Sequence, residues 1–187
     1  MFQFEIGVQS TLPETLRSIG RPAALELLEQ NVRRLRRDGN IHLHLDLIAG
    51  LPGEGYREFL ASIDRVAELR PHHLQLEPVK LLPGAPLRAD AARHGICFDP
   101  HPPYSVLSTP QLSFDDLERL QGIGRLLDLT CNSDRGHHFL AALSDACGSL
   151  SCSLEQLKPI GGARACFATP FPAGSFRPAV VFCAQYV

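Results

Sequence analysis

The chain has 187 residues, 44% of them hydrophobic and 20% charged, and its formal net charge is −2. This composition is typical of a globular protein of one to one and a half domains, without the basic excess that would favour nucleic-acid binding. The N-terminus lacks a basic region followed by an apolar run, and no stretch approaches the roughly 18 apolar residues of a membrane span. We therefore expect a cytoplasmic protein that binds neither nucleic acid nor a membrane.

The first two strands and two helices follow from hydrophobic periodicity and from capping and stop residues. Residues 2–8 alternate apolar and polar side chains, which predicts a strand, and Ser10 or Thr11 is placed to cap a short helix that has Pro13 near its first turn. Helical spacing from residue 24 to the stop signal at Gly39 predicts the next helix. Residues 41–49 then alternate strictly, with Leu and Ala on one face and His42, His44, Asp46 and Ile48 on the other.

A turn at residues 50–54 leads into a helix predicted near 56–69, and a third strand begins at His73. Strands separated by helices of this length predict right-handed crossovers and a parallel sheet, so the expected fold class is α/β. Further along we expect a short helix at 87–94, a proline-rich connection at 99–109 and a helix capped by Ser113 that runs through Leu129. Another helix is expected near 137–146, and residues beyond 148 show no coherent period except at 179–183.

Three segments carry a family resemblance: Phe-Glu-Ile-Gly-Val-Gln-Ser at 4–10, Asp-Leu-Ile-Ala-Gly-Leu-Pro-Gly-Glu at 46–54, and Leu-Gln-Leu-Glu-Pro-Val-Lys-Leu-Leu-Pro-Gly-Ala-Pro-Leu at 74–87. Together they resemble the fourth, fifth and sixth strands of the partial (β/α)6 barrel of radical S-adenosylmethionine (SAM) enzymes. Residues 102–104 and 130–133 are similar to the helical extension of cobalamin-associated members. The resemblance implies a C-terminal half-barrel at 1–95 and a helical extension at 96–147. The Gly-, Pro-, Ser- and Cys-rich composition of 148–187 indicates an irregular tail of non-native character.

The resemblance also implies a cofactor site. In the branch that includes anaerobic coproporphyrinogen oxidase, the matching residues hold the ribose and methionyl parts of SAM, and here they are Gln9, Arg21 and Asp46. A carboxylate can accept both ribose hydroxyls, and a guanidinium can pair with the SAM carboxylate. Structural alternatives stay open: Asp46 as a cap of the following turn, Gln9 bonded to backbone groups, and Arg21 as a solvated charge.

Other polar groups have competing interpretations. His42 and His44 lie two apart on one strand face and could chelate a metal with Asp46, although polar groups lining a barrel cavity are the favoured interpretation. His72 and His73 point to opposite faces of a strand. Glu77 and Lys80 lie near the end of the third strand and could face a substrate, or Lys80 could pair with a neighbouring carboxylate.

Radical SAM enzymes hold a 4Fe–4S cluster with a C-x3-C-x2-C loop, and none of the six cysteines, at 97, 131, 147, 152, 166 and 183, forms that triplet. Reduced core thiols are favoured over disulfides. We expect a truncated or split radical SAM frame whose parent cleaves SAM reductively and uses cobalamin as a further cofactor. Alternatives are a SAM- or nucleotide-binding module without a cluster, and an inert remnant or partner of the missing N-terminal half-barrel.

Overall fold

A computed structural model describes residues 2–22, 24–133 and 143–157. Its elements, in chain order, are β1 (Phe2–Gln9), α1 (Pro13–Ser18), α2 (Leu25–Asp38), β2 (Ile41–Ala49), α3 (Tyr56–Ala67), β3 (His73–Pro78), α4 (Pro86–Ala89), β4 (Cys97–Phe98), β5 (Val106–Ser108), α5 (Phe114–Thr130) and α6 (Leu150–Leu157). No helix within these described ranges is long and apolar enough to cross a membrane.

The main sheet has three parallel strands in the order β1-β2-β3. Each strand pairs with the next one in the chain, and helices fill both crossovers. Sequential order without reversal fits a segment of a β/α barrel, and it equally fits one half of a doubly wound sheet. The α/β prediction with three parallel strands and crossover helices is therefore confirmed.

The sheet has one apolar and one polar face. Leu43, Leu45 and Leu47 of β2 are fully buried on the apolar face. Helices α2 and α3 contact β2 there and α5 contacts β3, as the apolar stripes of these helices require. Gly124 permits the close approach of α5, because a Cβ at that position would lie 3.2 Å from the Leu76 carbonyl oxygen.

Helix ends follow local chemistry, with one correction. The predicted side-chain cap of α1 is wrong: the N-cap is Leu12, and Pro13 at the first position fixes φ instead. Gly39 ends α2 in the left-handed conformation, and Ser113 caps α5 in a reciprocal capping box with Asp116, both as predicted. Helix α3 ends at Ala67, slightly before the predicted end.

Three elements differ from expectation. The short helix predicted at 87–94 is shorter and begins earlier, as Pro86–Ala89. The connection at 99–109 contains β5, which pairs antiparallel with β4. Helix α6 lies at Leu150–Leu157, where an irregular tail was expected, so that expectation is wrong for these residues. Of the helix predicted near 137–146, residues 143–147 are helical and residues 137–142 lie outside the described ranges.

Candidate functional site

The polar face of the sheet carries the chemistry-bearing side chains. Strand register brings together residues that were far apart in the sequence: Asp46 lies between Gly7 of β1 and Gln75 of β3, and His44 lies between Glu5 and His73. We call the following set the polar face: Gln3, Glu5, Gly7, His42, His44, Asp46, Ile48, His73, Gln75 and Glu77. Side chains of this kind on one face predict a wet cavity instead of a packed core.

At the carboxyl end of β1, the chain folds the Gln9 side chain back over the polar face. Gln9 has a left-handed φ of 68°, and the strand register shifts between Gly7 and Gln9. The Gln9 amide nitrogen, Nε2, fills the position that a Cβ on Gly7 would occupy. Because Gly7 pairs with Asp46, and neighbouring strands lie about 4.8 Å apart, the Gln9 amide sits roughly one strand spacing from Asp46.

Arg21 reaches the same place from the end of α1. Gly20 takes a left-handed φ of 70°, the Gly20 N–H donates to the Arg17 carbonyl, and the Arg21 N–H donates to the Leu16 carbonyl. This pattern is a Schellman ending, which turns the chain sharply after a helix. Arg21 Nη1 lies 3.7 Å from the position that a Cβ on Gly7 would take. The structure therefore brings Gln9 and Arg21 together over Gly7, beside Asp46, and we call these four residues the rim site.

Asp46 is half-buried, and its Oδ1 is buried without a hydrogen-bond partner among the described residues. His44 Nε2 lies 3.4 Å from Oδ1 but without hydrogen-bond geometry. Burial raises the pKa of Asp46, His44 opposes this rise, and the carboxylates of Glu5 and Glu77 add to it. The rim site thus has an acceptor oxygen that no described residue satisfies.

The histidines pair with one another. His42 stacks on His72 with ring centroids 4.7 Å apart, and His44 lies against His73 at 4.1 Å. The His72 Nδ1 accepts the Leu43 N–H, which fixes its tautomer. Burial lowers the pKa of His42, and neighbouring His44 and Arg36 lower it further. Within the described ranges no three His, Cys, Asp or Glu side chains form a group able to hold a metal ion, so the His42, His44 and Asp46 alternative is not assembled there.

A groove of about 510 Å³ opens next to the rim site, at the carboxyl ends of the strands. In β/α folds this end of the sheet is where ligands bind. Glu77 Oε1 accepts a hydrogen bond from the Gln75 side-chain amide at 2.9 Å. The other carboxylate oxygen of Glu77, Oε2, lies 3.9 Å from Lys80 Nζ. Lys80 therefore pairs with a neighbouring carboxylate and still borders the groove, which is lined by Gln9, Ile48, Leu51, Gln75, Glu77, Pro78, Val79 and Lys80.

Sequence reasoning missed the role of Glu54, the last residue of the second motif. Its side chain is fully buried, and its Oε1 accepts hydrogen bonds from Ser10 Oγ and Ser62 Oγ, both at 2.9 Å. Burial raises the pKa of Glu54 to about 7, although the two hydroxyls oppose the rise. An acid before a helix ordinarily indicates a surface charge that complements the helix dipole, so the sequence carried no signal of burial.

Comparisons with known proteins agree with the motifs. Residues 92–150 match a family described as a protein of unknown function, DUF4080. The oxygen-independent coproporphyrinogen-III oxidase-like protein HemZ of Bacillus subtilis is 38% identical over 72 residues, which are 38% of this chain and 14% of HemZ. A probable threonylcarbamoyladenosine tRNA methylthiotransferase of Pyrococcus horikoshii is 35% identical over 78 residues, covering 41% of this chain and 18% of that protein.

Among solved structures, the coproporphyrinogen III oxidase HemN of Escherichia coli, described as a radical SAM enzyme, is 25% identical with a TM-score of 0.48. That alignment covers 68% of this chain and 26% of HemN. The sequence matches relate the chain to the radical SAM enzymes, as its three motifs predicted. The chain spans 14% and 18% of the two curated relatives, so what those whole proteins do is a separate question from what this chain does.

Proposed function

We propose that this chain binds SAM at the rim site, as the C-terminal strands of a radical SAM domain. The observation that supports this proposal most directly is the convergence of Gln9 and Arg21 over Gly7, beside the unsatisfied Oδ1 of Asp46. Gln9, Arg21 and Asp46 come from three separate segments, and the resemblance to radical SAM enzymes assigns all three to SAM.

The chemistry of the donor set fits SAM. The Asp46 carboxylate can accept the two ribose hydroxyls, because its Oδ1 has no other partner among the described residues. The Arg21 guanidinium can pair with the methionyl carboxylate, and the Gln9 amide can both donate and accept. The cationic sulfonium of SAM also favours the ionised form of Asp46, which offsets part of its cost of burial. The adjacent groove, at about 510 Å³, has the volume of a small-molecule pocket.

The 4Fe–4S cluster does not fit this chain. In radical SAM enzymes the cluster supplies the electron for reductive cleavage of SAM. The sequence has no C-x3-C-x2-C, and the described residues assemble no site for a metal ion. We propose that the chain is one part of a longer radical SAM frame, that another segment provides the cluster, and that the chain alone leaves SAM intact.

Cobalamin stays a prediction from resemblance alone. Of the residues that suggested it, Tyr104 packs against the Arg88 guanidinium, with the guanidinium carbon 5.1 Å from the ring centroid. Asn132 bonds to the edge of β3, where its side chain accepts the Leu74 N–H and donates to the Leu74 carbonyl. Both residues thus have structural contacts that account for them without a second cofactor.

Titration calorimetry of the full chain with SAM tests the proposal. We expect wild type to bind and Asp46→Asn to bind about tenfold to a hundredfold more weakly, since hydrogen bonds to charged groups contribute about 1.5–3 kcal/mol. Asp115→Asn is the matched control, because Asp115 is an exposed first-turn residue of α5 far from the rim site in sequence and makes the same change of charge. Equal affinity of Asp46→Asn and wild type would sink the assignment of Asp46.

Two further measurements separate the alternatives. Tighter binding of ATP than of SAM would favour a nucleotide-binding module, and no binding of either would favour a remnant or half-barrel partner. Anaerobic reconstitution with iron and sulfide is expected to leave the chain without the visible absorbance of an iron–sulfur cluster. Cluster formation with SAM cleavage would contradict the proposal that the chain is inactive alone.

A further inference from the structure

The turn that carries Gln9 to the rim site is strained. The Ser10 N–H donates to the Val8 carbonyl at 2.9 Å, which closes a three-residue γ-turn around Gln9 with its φ of 68°. A γ-turn with positive φ is rare and strained, and a residue other than glycine seldom adopts such a φ. Strain of this kind persists only where the surrounding structure holds the backbone in place. The contacts of the next residue, Ser10, show what holds it.

Ser10 is fully buried, and its hydroxyl makes two contacts that fix the chain just after the turn. It donates to Glu54 Oε1 at 2.9 Å and accepts the Leu12 N–H at 3.0 Å. Helix α3 supplies a second tie through Ser62, whose hydroxyl donates to the same Glu54 oxygen and accepts the Thr11 N–H at 3.3 Å. Glu54 Oε1 is therefore the common acceptor that joins the β1–α1 loop to α3.

Glu54 fills this role without a counter-charge from any described residue. No basic side chain of the described ranges forms an ion pair with it, its side chain is wholly buried, and Oε2 has no hydrogen-bond partner there. A buried carboxyl without a cation is costly as an ion. As a neutral acid it can carry its proton on Oε2, so that Oε1 remains free to accept both hydroxyls.

We propose that Glu54 is a positioning residue for SAM binding: it holds Ser10, and through Ser10 the turn that places the Gln9 amide over Gly7 beside Asp46. This inference rests on the proposed function of the rim site. Glu54 itself is buried between the β1–α1 loop and α3, where its hydrogen bonds go to Ser10 and Ser62. Its effect on affinity would come through the β1–α1 loop that it holds, and first through Gln9 at the start of that loop.

Three variants of the full chain separate positioning from simple stability. Glu54→Gln keeps a neutral group with an acceptor oxygen, so both hydroxyls keep their partner. Ser10→Ala removes the donor and leaves Glu54 bonded to Ser62, and Glu54→Leu removes the acceptor. Ser18→Ala is the matched control for Ser10→Ala, because the Ser18 hydroxyl donates to the Thr15 carbonyl at the end of α1 and does not contact Glu54.

The first readout is NMR of ¹⁵N-glutamine-labelled protein without ligand, in which the Gln9 resonances are assigned from Gln9→Ala. We expect the Gln9 side-chain amide signals to move in Ser10→Ala and to stay in place in Glu54→Gln and Ser18→Ala. The second readout is calorimetry with SAM, in which Ser10→Ala should lose about tenfold in affinity while Glu54→Gln stays within about twofold of wild type.

The outcomes distinguish this inference from the proposed function. Unmoved Gln9 signals in folded Ser10→Ala would overturn it, even if Glu54→Leu fails to fold. Moved signals with unchanged SAM affinity would also overturn it, because the position of Gln9 would then not serve binding. If wild type does not bind SAM, the proposed function fails, and moved Gln9 signals would still support Glu54 and Ser10 as the groups that position Gln9.

Discussion

The raised pKa of Glu54 makes the free energy of unfolding depend on pH between about 4.5 and about 7. Its pKa is raised from 4.5 to about 7, first because of burial and next because Glu58 lies nearby, while Ser10 and Ser62 stabilise the charged form only in part. The folded state therefore binds a proton that the unfolded chain has already released. The resulting stabilisation is complete below about pH 4.5 and is lost as the pH rises to about 7.

We predict that the stability difference between wild type and Glu54→Gln changes with pH in this window. At about 1.36 kcal/mol per unit of pKa, wild type should lose up to about 3 kcal/mol relative to Glu54→Gln between about pH 4.5 and about pH 7. Urea unfolding at a series of pH values measures this difference. His42, His72 and His73, whose pKa values are lowered, titrate alike in both proteins and cancel.

A difference that stays constant over this pH window would show that Glu54 is ionised in the folded state, although no basic side chain in the described part of the chain pairs with it. Glu58→Gln is the control, since Glu58 lies in the exposed first turn of α3 and should leave most of the pH dependence in place. A modest weakening is expected in that variant, because Glu58 raises the pKa of Glu54 only as a minor cause.

For individual residues, the sequence predicted the location of those that belong to a recognisable motif. Gln9, Arg21 and Asp46 were selected from the resemblance, and the structure places them together. The left-handed turn at Gln9 and the burial of Glu54 could not be predicted, because both depend on Ser10 and Ser62, which lie 44 and 8 residues from Glu54. Serine carries no periodic signal of burial, so its hydrogen bonds become visible only in three dimensions.

Among the elements, α6 is tied to α3 by polar contacts. The Asp64 carboxylate accepts hydrogen bonds from the Ser151 N–H at 2.8 Å and from the Ser151 hydroxyl at 2.6 Å, at the N-terminus of α6. The Tyr56 hydroxyl donates to Glu155 at 2.8 Å. A carboxylate at this position satisfies an otherwise unpaired N–H and complements the helix dipole. Helix α6 is thereby joined to the helix that follows the second motif.

We predict that Asp64→Ala loosens α6 without unfolding the sheet. Loss of the two hydrogen bonds should cost about 1–3 kcal/mol, which corresponds to roughly fivefold to 150-fold faster exchange of the α6 amides when the opening equilibrium governs exchange. Hydrogen exchange read by mass spectrometry on peptides covering 150–157 measures this. Asp38→Ala is the matched control, because Asp38 is exposed at the end of α2. Unchanged exchange of α6 would mean that apolar contacts alone hold it.

Elements with strong periodicity were predicted, and elements defined by their partners were not. The sequence Leu-Ser-Cys-Ser-Leu-Glu-Gln-Leu of α6 buries Ser151, Ser153 and Leu154, so its inward face does not look apolar. Strand β4 has two residues and β5 three, which is too short to show alternation. By contrast, β2 alternates over nine residues, and every second residue from Leu43 is buried as predicted.

Within the described ranges, the two edge strands of the main sheet differ in whether their outer backbone groups have hydrogen-bond partners. Strand β2 pairs on both sides, whereas β1 pairs only with β2. On the other edge, the Asn132 side chain accepts the Leu74 N–H of β3 at 3.0 Å and donates to the Leu74 carbonyl at 2.8 Å. A side-chain amide thus satisfies backbone groups on β3, while the β1 edge offers unpaired groups to a further strand.

We predict that amide exchange reports this asymmetry. The amides of β2 and the Leu74 N–H should exchange slowest, while the β1 amides that point away from β2 should exchange orders of magnitude faster, because no partner of the described ranges holds them. NMR-detected exchange on dilute protein measures each amide. Protection of β1 equal to that of β2 would mean that another strand pairs there. If that protection disappears on further dilution, the pairing strand belongs to a second copy of the chain. The β1 edge of the single chain is then open to the strands that would complete a barrel around the polar face. If the protection persists on dilution, the pairing strand belongs to the same chain, and the β1 edge is already occupied.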